Sequence, residues 1–86
     1  MQEEGLDVYA NQVGFSFSPY DVVLDFGLLP TDPKGIRKPV VRVRMSPQHA
    51  LVMTKLLVKN LKMYEAQIGP IILPEGLYKE LGISKD

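Results

Sequence analysis

The chain contains no cysteine. No disulfide can brace it and no thiolate can hold a metal, and this fits a reducing compartment. There is one histidine, His49, so no second imidazole can complete a metal set. No stretch approaches the ~20 continuous apolar residues of a membrane helix. The start, Met1-Gln2-Glu3-Glu4-Gly5, is acidic and lacks the basic and apolar regions of a secretory signal. The expectation is a cytoplasmic protein with no membrane partner. The glycines form no GxGxxG or GxxxxGK(S/T) loop, and no GxSxG elbow is present. An enzyme is therefore not expected, nor is a cofactor or a catalytic set. His49 reads as a polar residue of a helix's first turn rather than as a base or ligand, because no carboxylate near it in sequence would orient it.

What is present describes one small domain. The 86 residues are 45% hydrophobic and 23% charged, an ordinary globular balance. A chain of this length buries roughly 60–65% of its unfolded surface, so its core is thin. Formal net charge is zero, yet the charges are sorted. Glu3, Glu4, Asp7, Asp21, Asp25 and Asp32 precede every base, and Lys34, Arg37, Lys38, Arg42, Arg44, Lys55, Lys59 and Lys62 then follow without an acid. Such blocks mark either a nucleic-acid site or an acidic strand paired with a basic one.

The hydrophobic period locates the elements. Val13, Phe15 and Phe17 alternate with polar residues, as in a half-buried strand. Ser18-Pro19-Tyr20-Asp21 reads as a turn. Val22, Leu24, Phe26 and Leu28 form the inward side of a second, antiparallel strand. "LPTDPKGIRKP", Leu29 to Pro39, is a long loop expected to be mobile. A third strand from about Pro39 to Met45 puts Val41, Val43 and Met45 on one face and Val40, Arg42 and Arg44 on the other. If the second and third strands are neighbours, Asp21 and Asp25 share an outer face with Arg42 and Arg44 and pair across it.

A helix follows, with Ser46 as N-cap, Pro47 at its first position and Gly69-Pro70 as its stop. It spans about Pro47 to Ile68. A short helix is expected over Glu75 to Leu81, ended by Gly82. The predicted fold is α+β: a two-layer β-β-β-α unit, an antiparallel three-stranded meander with one long helix packed on one face. Residues 1–8 are expected to be a flexible N-terminus, 9–73 the domain and 74–86 a tail.

On a helical wheel, Ala50, Met53, Leu57, Leu61, Tyr64 and Ile68 form a stripe suited to covering the sheet. Val52, Leu56 and Met63 lie on one flank of that stripe, and Leu51 and Val58 on the other. Lys55, Lys59 and Lys62 occupy a sector only about 60° wide. So much apolar surface needs a cover. The tail, through Ile71, Ile72, Leu73, Leu77 and Leu81, is one candidate. A second copy is the other, and a homo-oligomer, a dimer first, is expected. Both outer strands also leave backbone groups unpaired, and a symmetry mate would satisfy one such edge.

The leading expectation is a self-associating binding or assembly module. The candidate protein interface is Leu51, Val52, Leu56, Val58, Met63, Ile71, Ile72 and Leu73. The alternative is a nucleic-acid binder contacting phosphates through Lys34, Arg37, Lys38, Arg42 and Arg44. A third reading is a chaperone-like groove that takes extended apolar segments by edge addition.

Several motifs also carry a resemblance. Tyr9-Ala10-Asn11 opens the first strand, "DVVLDFGLLP" forms the second, and "RVRMSPQHALVMTKLLVKNLKMYEAQIGPI" spans the third strand and helix. With these, the chain resembles a family of small bacterial proteins known as domain of unknown function number 3467, over about Tyr9 to Ile71. Such proteins tend to have Lys or Arg soon after the Ala of the helix start, where this chain has Leu51 and Val52. It also continues through "LPEGLYKELGISKD". The resemblance implies the same fold and carries over no activity and no catalytic residue.

Overall fold

The computed structural model describes residues 5–31, 35 and 38–84. Three strands, β1 (Gln12–Phe17), β2 (Val22–Leu28) and β3 (Lys38–Met45), precede a long helix α1 (Pro47–Gln67) and a short helix α2 (Glu75–Leu81). The strands form one open antiparallel sheet in the order β1-β2-β3. The α+β class and the β-β-β-α order are those expected. The chain groups into two compact units, 1–53 and 54–86, with the boundary inside α1.

The first unit is built around β2. Its hairpin with β1 closes at Ser18-Pro19-Tyr20-Asp21, where the Ser18 N–H donates to the Asp21 carbonyl at 2.9 Å. The Ser18 hydroxyl accepts from the N–H groups of Tyr20 and Asp21 and donates to the Asp21 carboxylate. A serine one residue before proline thus satisfies the turn's own backbone. At the other end, Asn11 holds the hairpin: its side-chain oxygen accepts from the Leu29 N–H at 2.8 Å, and its own N–H donates to the Gly27 carbonyl.

β3 joins β2 with one irregularity. Phe26 faces Val41 but Gly27 faces Pro39, so Val40 is the extra residue of a β-bulge. The backbones approach closely there. A Cβ on Gly27 would stand 2.6 Å from the Lys38 carbonyl oxygen, which only glycine avoids. Pro39 cannot donate to a ladder and is tolerated because β3 is an edge strand.

Both helices begin and end where sequence places them. The His49 N–H donates to the Ser46 hydroxyl at 3.1 Å, the N-cap bond. Past α1, Gly69 takes a φ of +153° and the Ile71 N–H returns to the Glu65 carboxylate at 3.0 Å. Past α2, Gly82 is left-handed at φ +67° and its N–H reaches the Lys79 carbonyl.

The core differs from expectation. Among the described residues the buried apolar side chains are Val23 and Leu24, 7% and 5% exposed. No residue of α1 is buried. Ala50 and Met53 of the expected core stripe are half-buried, but Leu57, Leu61, Tyr64 and Ile68 are 44–70% exposed. Within the 54–86 unit these four side chains stay open to solvent. The wheel gives α1 apolar residues on three sides and a narrow lysine sector, so more than one of its faces is open to a cover. Parts of the expected flexible N-terminus and mobile loop, residues 1–4, 32–34 and 36–37, lie outside the described residues.

Candidate functional site

The strand registers sort the sheet into two unlike faces. Phe15 faces Leu24, which faces Val43; Val13, Phe26 and Val41 lie level on one side, and Phe17, Val22 and Met45 on the other. Because paired residues of an antiparallel sheet share a face, these nine side chains make one unbroken apolar surface. Of the nine only Leu24 is buried, and Phe15 and Phe17 are 68% and 84% exposed. The segment before β1 adds Leu6, Val8 and Ala10, which line a groove of about 600 Å³ with Phe26, Val41 and Val43.

The opposite face is polar and satisfies itself. Arg42 forks onto Asp25, its Nε donating to Oδ1 and its Nη2 to Oδ2 at 3.2 Å. Arg44 lies 3.9 Å from the Asp21 carboxylate. Asp25 faces Arg42 directly across the ladder, the cross-strand arrangement the charge blocks predict. The hydrogen bond that Arg42 donates to Asp25, and then the charge of that carboxylate, raise the pKa of Arg42, so that guanidinium stays charged. These pairs bear on the nucleic-acid alternative. Two of its five bases are engaged by carboxylates of their own chain. Lys38 is exposed at the start of β3. Lys34 and Arg37 lie outside the described residues.

A family model described as "Protein of unknown function (DUF3467)" matches residues 2–73. The chain belongs to this family. No curated protein and no solved structure matches it. The motifs that carry the DUF3467 resemblance have structural work in this chain: Asn11 ties β1 to Leu29, Gly27 permits the bulge opposite Val40, and Ser46 caps α1.

In this DUF3467 chain the candidate interface residues Leu51, Val52, Leu56, Val58 and Met63 are 47–58% exposed. Within the 54–86 unit the tail leaves Leu56, Val58 and Met63 exposed. Ile71 and Ile72 are themselves exposed, and Leu73 and Leu77 are half-buried. Lys55, Lys59 and Lys62 line a shallow surface with Val58, Met63 and Ala66, so base and apolar flank alternate along one side of the helix. The alternation that puts Val13, Phe15 and Phe17 on one side of β1 reads as a half-buried strand, whereas these side chains and Val43 stand exposed. One signal was available: β1 pairs aromatic residues with no charge at all. Among the described residues no group of acidic, histidine or cysteine side chains could hold a metal, and no helix is long and apolar enough to cross a membrane.

Proposed function

We propose that this chain is a self-associating binding or assembly module of the cytoplasm, without enzymatic activity, whose apolar surfaces are covered by another copy of itself. The observation that carries this reading is the nine-residue apolar sheet face with only Leu24 buried. A folded domain needs more than Val23 and Leu24 removed from water, since each fully buried aliphatic or aromatic side chain contributes only about 1.5–3 kcal/mol. The one surface certain to be present at matching concentration, with matching apolar area, is that of another copy.

The areas are sufficient. Strands ~4.8 Å apart, about seven residues long at ~3.4 Å each, give a face on the order of 300 Å². One side of a helix ~32 Å long and ~10 Å wide adds a similar area. Two copies contributing both surfaces reach about 1,200 Å², the lower limit of stable interfaces.

Light scattering coupled to size exclusion tests this. The expected mass is a multiple of the 9.6 kDa chain at micromolar concentration. A single-chain mass with a cooperative unfolding transition overturns the reading. Leu56→Glu combined with Met63→Glu should lower the mass while circular dichroism keeps its helical signal. An unchanged mass would remove those flanks from the interface.

A further inference from the structure

The two edges of the sheet are not alike, and the difference selects one of them for pairing. In an antiparallel ladder, successive residues point their N–H and C=O alternately toward the partner strand and away from it. The Ser18–Asp21 hydrogen bond sets the phase for β1. Gln12, Gly14 and Ser16 turn toward β2, and Val13, Phe15 and Phe17 turn their backbone groups to the open edge. The same alternation carried through β2 turns Val41, Val43 and Met45 inward and leaves Arg42 and Arg44 facing the other edge.

The β3 edge carries the devices that prevent strand addition. Pro39 has no N–H, Val40 forms a bulge, and Lys38, Arg42 and Arg44 are all basic. A second β3 laid antiparallel about Val43 would set Arg42 against Arg44 of the copy. The β1 edge carries none of them. Gln12–Phe17 has no charge, no proline and no bulge within it, and among the described residues only β2 pairs with it.

We propose that β1 pairs antiparallel with β1 of a second copy about a two-fold axis at Phe15, fusing two three-stranded sheets into one. This register is the one that sets all three outward-facing residues opposite one another. Phe15 meets Phe15 of the copy, and Val13 meets Phe17, each pair exchanging both backbone hydrogen bonds. Aromatic–aromatic and aromatic–β-branched pairs are favoured neighbours on a sheet face. On the polar face Gly14 meets Ser16, two small neutral residues, so no like charges oppose. The apolar faces of both copies become one continuous surface. The pairing is isologous and uses up both β1 edges, and the blunted β3 edges stop further growth of the sheet, so edge addition ends at two copies rather than extending as a fibre. This inference rests on the self-association proposed above and names its edge and register.

Amide hydrogen exchange on the intact chain, read with the mass, tests it. The N–H groups of Val13, Phe15 and Phe17 should exchange at least ~10-fold more slowly when the chain is associated than at a dilution where it is single. A mass above one chain with these three amides freely exchanging overturns the edge pairing and leaves self-association standing. A single-chain mass at every concentration overturns both.

The register has its own test. Positions 14 and 16 are on the polar face, and a Cβ on Gly14 meets nothing within 4 Å. Gly14→Lys with Ser16→Lys, or Gly14→Glu with Ser16→Glu, sets like charges opposite each other and should weaken association about tenfold at low salt. Mixing the two variants should restore it. Equal association of the separate and mixed variants overturns the Phe15-centred register.

Discussion

The two faces of one sheet reach completion by different routes. The polar face is complete within a single chain: Arg42 finds Asp25, Arg44 approaches Asp21, and Val23 is buried between them. The apolar face, built on the same backbone one residue out of phase, buries only Leu24 of its nine side chains. Ion pairs are local. A carboxylate and a guanidinium on adjacent strands satisfy each other across a few ångströms and need nothing above them. Apolar side chains that lie side by side on a sheet cannot exclude water from their tops, and a second layer must do it. A meander with one polar and one apolar face therefore calls for a second layer on one side only.

Substitutions at neighbouring positions of β2 compare the two faces. Leu24→Ala removes the most buried side chain of the apolar face and should cost about 2–5 kcal/mol, read from the midpoint of chemical denaturation at fixed protein concentration. A loss under ~1 kcal/mol would mean that this face contributes little to folding. Gly27→Ala should come next, at about 1–3 kcal/mol, because its Cβ meets the Lys38 backbone and the bulge must open. The same substitution at Gly14, where nothing stands within 4 Å, should change the midpoint far less. Asp25→Ala should have the smallest effect, and adding salt should shrink it further, since the pair with Arg42 is open to solvent on both sides. Asp25→Ala matching Leu24→Ala in cost would erase the contrast between the faces.

Much of this fold is legible without a structure. Alternation at Val13, Phe15 and Phe17 and at Val22, Leu24 and Phe26 gives β1 and β2 their phase. Ser46-Pro47 and Gly69-Pro70 bracket α1, and Gly82 ends α2. The pairing of Asp21 and Asp25 with Arg42 and Arg44 follows from strand parity once β2 and β3 are neighbours. These features depend on residues close in sequence or on a period of two, and both are visible in a string of letters. The bulge at Val40 is less visible: Asp-Phe-Gly hints at a tight spot, but the one-residue slip between Gly27 and Pro39 appears only in the register.

The helix stripe marks the boundary of such reading. Leu57, Leu61, Tyr64 and Ile68 have the spacing of a core face, yet they are exposed in the chain. Spacing says that a side chain is apolar and which neighbours share its side; it does not say what lies opposite. The same holds for Phe15 and Phe17, whose apolar character is plain and whose exposure is not.

The sequence by itself determined the element order, the phase of each strand, the helix caps and the ion-paired face, because each follows from local chemistry or short-range periodicity. Only the tertiary structure decided which apolar side chains of the sheet stand exposed and how its two edges differ. Those depend on strand register and on a bulge, and these are properties of the assembled sheet rather than of any segment of it.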